Sequence, residues 1–463
     1  MNGLDPALAR PALFDLGEVA AVTGGIVQGA SMGVSGVATD TRMIAAGDLF
    51  VALKGERFDG HDYVLEAARN GAAAALVERR LGDGRGIAQV IVPDAKRALG
   101  AIAAWWRQRF PTPLLALTGS NGKTTVKEMV ACVLAAHCGG RDAVLATEGN
   151  LNNDIGVPLT LLRLREPHRY AVIEMGMNHL AEIDYLTRMA APTTALVTNA
   201  HRAHIGMLGS MEAIAQAKGE VYAGLKPHGL ALVNDDDAFA GYWKQVNKDR
   251  RVITFGTKES ADIRGLVDGS QVRFITPTDA FAVTLQVPGE HNARNAIAAC
   301  AAAFALDIAP RSIQSGLAAY AGTKGRLQLT RSARGARVVD DTYNANPESM
   351  KAAIRVLAEA PGRKVFVMGD MGELGEAGAP MHAEVGAFAR GAGIDRLLTL
   401  GLLSVHAAEA FGEGGVHHGD FEALMEAVRA EDRAGTTILV KGSRFMRMER
   451  AVDRLASGGA RAA

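Results

Sequence analysis

Short apolar runs recur along the middle of the chain, at 114–117, 143–146, 170–173, 194–197 and 230–233, and helix-period segments separate them. Near-continuous apolar strands spaced by helices predict a parallel sheet covered on both faces. Before this stretch the pattern is mixed. A helix over 16–23 precedes strands at 37–39 and 49–53, a helix over 63–70 ended by Gly71, and strands at 73–77 and 89–93. Asp94 then caps an amphipathic helix running to Arg109, and Pro111 and Pro113 punctuate a boundary. After Asp236 the pattern turns β-like at 251–255, 272–275 and 281–287, with a turn at 267–270, and an alanine-rich helix covers 292–306. From 324 a third αβ rhythm has strands at 336–339, 364–368, 396–400 and 437–440, and 457–463 reads as a frayed tail. The expected fold is α/β in three domains. They are a small mixed N-terminal domain (1–109), a central P-loop ATPase-like parallel sheet with an added β segment (110–323), and a Rossmann-like C-terminal domain (324–463).

The first central strand runs into Thr118-Gly119-Ser120-Asn121-Gly122-Lys123-Thr124-Thr125, after which Val126, Met129, Val130 and Val133 begin a helical pattern. Strand, glycine loop and helix N-terminus in that order make a phosphate cradle. Gly119 and Gly122 allow unusual backbone angles, Lys123 offers a mobile charge to terminal phosphates, and the Thr124 hydroxyl can complete a Mg²⁺ shell. Leu117 stands where the common G-x-x-x-x-G-K-[ST] pattern has its first glycine, so this is the shorter T-G-x-x-G-K-T-T form. The combination predicts binding of a nucleoside triphosphate.

Composition narrows the classes. Lys and Arg total 50, as do Asp and Glu, so no net charge draws the chain to nucleic acid or an anionic membrane. Cys132, Cys138 and Cys300 have no metal-like spacing and fit a reducing compartment. No apolar stretch approaches the roughly 20 residues of a membrane span, and the N-terminus lacks a secretory core. A cytoplasmic monomer is expected.

Other polar clusters fall at strand ends, the ligand edge of an open α/β sheet. Glu174 ends the strand at 170–173 and suits a Mg²⁺ ligand or an orienter of its water shell, although a single strand-end carboxylate is more often merely solvated. His201 and His204 follow the strand at 194–197 and are candidates for metal or phosphate contact, His204 being favoured. Lys218 lies on a small-residue helix, either solvated or carbamylated by CO₂ into an anionic metal ligand. Asn150, Asn152 and Asn153 are turn formers or binders of a second substrate, and Asn292 and Asn295 are a helix cap with its neighbour or readers of a base or ribose. In the third segment Asn346 and Pro347 read as helix cap and first helical residue, leaving Asp341 and Asn344 for ligand. The loops at 369–375 and 440–444 add a second polar surface facing the nucleotide site.

Assembled in order, T-G-S-N-G-K-T-T, G-N-L-N-N-D-I-G-V-P, E-M-G-M-N, T-N-A-H-R-A-H and G-E-H-N-A-R-N make the chain resemble the Mur ligases, ATP-dependent amide-bond-forming enzymes of peptidoglycan synthesis. The resemblance covers nearly the whole chain. D-D-T-Y-N-A-N-P-E-S-M at 340–350, the 369–375 loop, K-G-S-R at 441–444, T-D-T-R at 39–42 and D-G-H at 59–61 are similar to the dipeptide-adding member, and the D-N-P-R motif of the diaminopimelate-adding sibling is absent. His201 is an additional histidine, and Ile205 stands where Leu is usual.

The resemblance implies that ATP phosphorylates the terminal carboxylate of a UDP-N-acetylmuramoyl-tripeptide and that the amine of D-Ala-D-Ala attacks the resulting acyl phosphate. It places Gly119, Ser120, Asn121, Gly122, Lys123, Thr124 and Thr125 around the phosphates, with Mg²⁺ held through Thr124, Glu174 and His204. A carbamate on Lys218 would hold a second Mg²⁺. Asn292, Asn295, Arg326 and Asp341 would surround adenine, ribose and phosphates. Thr41 and Arg42 would face the UDP-sugar, and Asn344, Asn346 and Ser349 the dipeptide. Two rivals are a folylpolyglutamate synthetase, which begins at its phosphate-loop domain and so lacks the first segment, and a non-enzymatic nucleotide switch.

Overall fold

The computed structural model describes residues 10–82 and 86–457, so the readings of the extreme N-terminus and of the tail after Ser457 lie outside the described residues. Besides a short antiparallel pair of Phe14–Asp15 with Gly33–Val34, three larger sheets follow one another along the chain. The first has the order Ile26–Gln28, Ala88–Ile91, Ala74–Val77, Asp48–Val51, Gly36–Ala38, parallel except for its first pair. Asp94 caps the helix Ala95–Gln108 as expected, its carboxylate accepting from Arg97 N at 2.8 Å.

The second sheet has nine strands. Leu114–Thr118 lies between Tyr170–Glu174 and Thr194–Val197, all parallel. Leu230–Asn234 and Arg251–Gly256 extend it in the same sense, and an antiparallel meander closes the far edge. One strand of that meander, Ile263–Asp268, is not legible in the sequence, and the expected turn at 267–270 shrinks to Gly269 and Ser270. Gly265 interrupts the apolar alternation there, because Ile297 of the covering helix fills its side-chain space: a Cβ would lie 2.2 Å from Ile297 Cδ1. That helix spans Glu290–Ala305, with Gly289 at its cap. Asn292 is therefore inside the helix, and the cap reading for it is corrected.

The third sheet has the order Gln328–Arg331, Arg337–Asp341, Thr436–Lys441, Arg363–Gly369, Arg396–Leu400, Gly415–His418, parallel except for its first pair. The two edge strands, Gln328–Arg331 and Gly415–His418, were not read from the sequence, since edge strands carry few buried apolar positions.

The three sheets are not three separately folded cores. Leu115, Leu117 and Val172 face one side of the central sheet, where the helices Lys123–Cys138, Glu290–Ala305 and Pro310–Ala319 cover them. Leu114, Ala116 and Ile173 face the other side and join one continuous cluster with Phe14, Leu49, Leu99 and Trp106 of the first domain. Trp106 donates to Leu164 O at 3.1 Å, and the buried Arg107 donates to Ala190 O, Phe110 O and Thr112 O. The C-terminal sheet keeps clusters of its own, and among partly buried side chains Ile205 packs against both. Trp106→Ala is accordingly expected to cost about 3–5 kcal/mol and to lower one joint unfolding transition of the first two domains, leaving that of the C-terminal domain nearly unmoved in scanning calorimetry.

Candidate active site

In the central sheet Glu174 pairs with Leu117 and Val197 with Thr118, so three parallel strands end at one level. The glycine loop turns just above them. Gly122 has φ 80°, and a Cβ there would lie 2.2 Å from Asn295 Oδ1, so both backbone angle and space require glycine. Ser120 N donates to Asn199 O and Asn121 N to Asn199 Oδ1, each at 2.9 Å. These two amides are turned to the neighbouring strand end and away from the phosphate position expected of them. The N–H groups left for an anion are those of Lys123, Thr124 and Thr125, which open the helix and have no partner within it. Lys123 Nζ folds back to donate to Gly119 O at 2.7 Å.

Glu174 is almost fully buried. Thr124 Oγ1 donates to its Oε2 at 2.7 Å and Asn152 Nδ2 to its Oε1 at 2.8 Å. Arg326, from the start of the third domain, donates to Thr124 Oγ1 at 2.8 Å and stacks over the Tyr343 ring at 4.1 Å. Lys218 is also fully buried, and its Nζ has no hydrogen-bond partner among the described residues. Burial, and then the charge of Lys123, push the Lys218 pKa well below that of an ordinary lysine. His204 Nδ1 lies 2.6 Å from Glu373 Oε2 without the alignment of a hydrogen bond.

The C-terminal domain closes the other side. Asp341 is paired with Lys441 at 2.6 Å, and burial raises its pKa while Lys441 opposes the rise. Lys441 also donates to Asn344 O at 2.8 Å. Asn346 caps the helix Pro347–Glu359 in a reciprocal box with Ser349, as the sequence suggests, and its Nδ2 donates to Asn121 Oδ1 at 2.7 Å. Both of its functional groups are thus occupied by a helix end and the phosphate loop. Arg202, between the two histidines, binds Glu348 and makes a two-pronged bond to Glu384 at 2.9 Å. These elements enclose a cavity of about 500 Å³.

The cavity wall includes Lys123, Asn152, Glu174, His201, His204, Asn292, Asn295, Arg326, Asp341, Asn344, Asn346 and Ser349, which the sequence had singled out. Thr124 and Lys218 are buried, outside that lining. Four predicted residues lie elsewhere. Thr41 donates to Glu66 and Arg42 pairs with Asp40, both on the first domain, while Asn153 accepts from Gly156 N and Asn150 sits in an exposed turn. Asn199 and Arg202 fall in the T-N-A-H-R-A-H motif and Glu373 in the polar 369–375 loop, without an individual role read from the sequence, while Asn234, Asp236 and Phe255, at strand ends or in loops beside them, were missed. The only sequence signal of these last three is their position at or after an apolar run.

The described residues contain no group of three His, Cys, Asp or Glu placed to hold a metal ion. The donors present, a threonine hydroxyl on a buried carboxylate, suit a Mg²⁺ that takes most of its shell from phosphate and water. Gly122→Ala is expected to weaken ADP binding by more than about tenfold with an unchanged circular dichroism spectrum, measured by titration calorimetry.

Three family descriptions match in chain order: Mur ligase family, catalytic domain, over residues 33–106; Mur ligase middle domain over 117–303; and Mur ligase, glutamate ligase domain, over 325–444. The UDP-N-acetylmuramoyl-tripeptide–D-alanyl-D-alanine ligase of Escherichia coli is 43% identical over 453 residues, covering 96% of this chain and 98% of its own length. The crystal structure of MurF from Acinetobacter baumannii matches with a TM-score of 0.89 at 36% identity, over 95% of this chain and 98% of that one. MurF ligase from Thermotoga maritima, in complex with ADP, matches with a TM-score of 0.79 at 28% identity, over 92% and 98% of the two chains. These matches run over nearly the full length of the chain, which belongs to the Mur ligase family of ATP-dependent amide-bond-forming ligases.

Proposed function

We propose that this chain joins D-alanyl-D-alanine to UDP-N-acetylmuramoyl-tripeptide at the expense of ATP, giving UDP-N-acetylmuramoyl-pentapeptide, ADP and phosphate in the cytoplasm. The observation that carries the reading is the single cavity in which the helix end at Lys123 faces Arg326, Asp341 and Lys441 of the C-terminal domain. Relatives of that name match along nearly the full chain. Residues 110–323 would bind ATP, 1–109 the UDP-sugar, and 324–463 the dipeptide and part of ATP.

In the first step a carboxylate oxygen of the tripeptide bonds to the γ-phosphorus while the bond to the β-phosphate oxygen breaks and ADP leaves. Two anions must approach, so cations have to offset the repulsion. Lys123 leaves Gly119 O to reach the terminal phosphate, and Arg326 adds a second charge beside Thr124. In the second step the dipeptide's ammonium gives up a proton to solvent, the resulting neutral amine attacks the acyl carbon, and the tetrahedral adduct expels phosphate, with the second amine proton also passing to solvent. Asn292 and Asn295, with Asn234 and Phe255 opposite, would flank the base and ribose. Mg²⁺ would be held through Thr124, Glu174 and His204, and would supply charge neutralisation on the phosphates. The contacts of Arg202, Asn346 and Arg326 draw the C-terminal domain over the loop and exclude water from the acyl phosphate.

Lys218 is the natural site of a carbamate in this reading. Burial, with the charge of Lys123, lowers its pKa and so favours the neutral amine, the form that adds to CO₂ with loss of one proton, and its Nζ has no hydrogen-bond partner among the described residues. The protein equilibrated with ¹³C-bicarbonate is expected to show a carbamate resonance that Lys218→Ala removes; a wild-type spectrum without that resonance would sink the assignment.

The reaction itself is tested by phosphate release from ATP and Mg²⁺ with UDP-tripeptide, with and without the dipeptide, and mass analysis of the product. Pentapeptide formed only with both substrates is expected. Lys123→Ala should lower kcat by at least about 10³-fold without a change in fold, and normal turnover in that variant would refute the phosphate-loop role.

A further inference from the structure

Six carboxylates line the cavity, and five are accounted for by donors of the chain. Asp341 is paired with Lys441, Glu348 with Arg202 and Asp236 with Arg294. Asp237 accepts from the backbone N–H groups of Ala200 and Phe239, and Glu174 from Thr124 and Asn152. Glu373 is the exception. Among the described residues no Lys or Arg lies within ion-pair reach of it, and its partner is His204, whose Nδ1 lies 2.6 Å from Oε2 and helps to hold the Glu373 pKa below the usual carboxylate range. It lines the same cavity as Lys123, Glu174 and His204, which places it at the reaction centre.

The loop carrying Glu373 is held from every side. The Asp370 carboxylate accepts from the N–H groups of Leu402, Leu403 and Ser404. His382 Nε2 accepts from Met371 N at 2.9 Å, so the ring carries its proton on Nδ1, which faces Gly378 O at 2.7 Å. Gly372 N donates to Ser443 Oγ at 2.7 Å, and Gly206 N of the central domain donates to Glu373 O at 3.0 Å. Between these anchors Glu373 itself has φ 63°, a left-handed conformation unfavourable for a side chain with a Cβ. Such a conformation persists only where its surroundings enforce it, and here it aims a half-exposed carboxylate into the cavity.

A carboxylate at this position works against ATP and the substrate carboxylate, both anionic. The group it complements is an ammonium, and of the ammonium groups on the two substrates the one that has to reach the acyl phosphate is that of the incoming dipeptide. We propose that Glu373 binds that ammonium and sets the acceptor beside the acyl phosphate, and that the 369–375 loop is built to deliver it when the C-terminal domain closes. This rests on the function proposed above and names the group that meets its second substrate.

Glu373→Gln keeps the size and removes the charge. Its KM for D-Ala-D-Ala is expected to rise about 10- to 100-fold, the loss of one charge-assisted contact, while its affinity for ADP and its KM for UDP-tripeptide stay within about twofold. Acyl-phosphate formation without dipeptide, trapped as the hydroxamate with hydroxylamine, should persist. D-lactoyl-D-alanine, with hydroxyl in place of ammonium, should inhibit the wild type more weakly than D-Ala-D-Ala binds, and the variant should lose that preference. An unchanged dipeptide KM, a retained preference, or a hydroxamate yield that falls in step with turnover would overturn the proposal; the last would assign Glu373 to the phosphate centre. A wild-type protein that forms no pentapeptide would instead refute the functional reading on which this rests.

Discussion

A carboxylate buried at the end of a central strand has to be met by donors, and much of this molecule's architecture follows from that demand. Leaving Glu174 unpaired would cost several kcal/mol, more than any surface ion pair returns. Thr124 and Asn152 meet it, and each comes from a different loop at the same sheet edge. Thr124 can do so only because the glycine loop reverses within four residues and starts the helix directly above the strand. Arg326 then uses the remaining lone pair of the Thr124 hydroxyl, which ties the third domain to the same point. Nucleotide loop, carboxylate and interdomain contact are one hydrogen-bonded chain.

The division of the cores explains how such a site can open and close. The first two domains share apolar packing through Trp106 and the buried Arg107, so they form one base. The C-terminal domain has its own two clusters and meets that base largely through polar groups: the Asn121–Asn346 pair, the Arg202 bonds to Glu348 and Glu384, and the Gly206–Glu373 backbone bond. Polar contacts of this kind exchange for water at small net cost, whereas the apolar seam does not. Motion of the third domain against the other two is the expected consequence, and the groups that hold it closed are the ones that border the reactive atoms.

Two histidines show how a motif can be structural. His61 lies in the D-G-H stretch and is fully buried. Its Nε2 accepts from Glu78 N at 2.8 Å and its Nδ1 lies 2.5 Å from Asp59, so both nitrogens serve the first sheet. His382 does the same for the loop behind Glu373. Neither is free to touch a substrate, and each fixes the shape of a loop.

The sequence by itself determined the strands with buried apolar runs, the capped helices at Asp94 and Asn346, the phosphate loop and the strand-end carboxylate, because these are set by local periodicity, cap chemistry and turn residues. Only the tertiary structure decided the rest. Edge strands and the Gly265 strand carry weak local signals, since a neighbouring helix or water supplies what the pattern lacks. The partners of Asn346, Arg202 and Glu373 come from another domain more than a hundred residues away in sequence, and no local rule encodes such a meeting. The orphaned state of Lys218 likewise depends on what fails to reach it in three dimensions. Periodicity tells which side of an element is buried; it cannot tell which distant group will be found there.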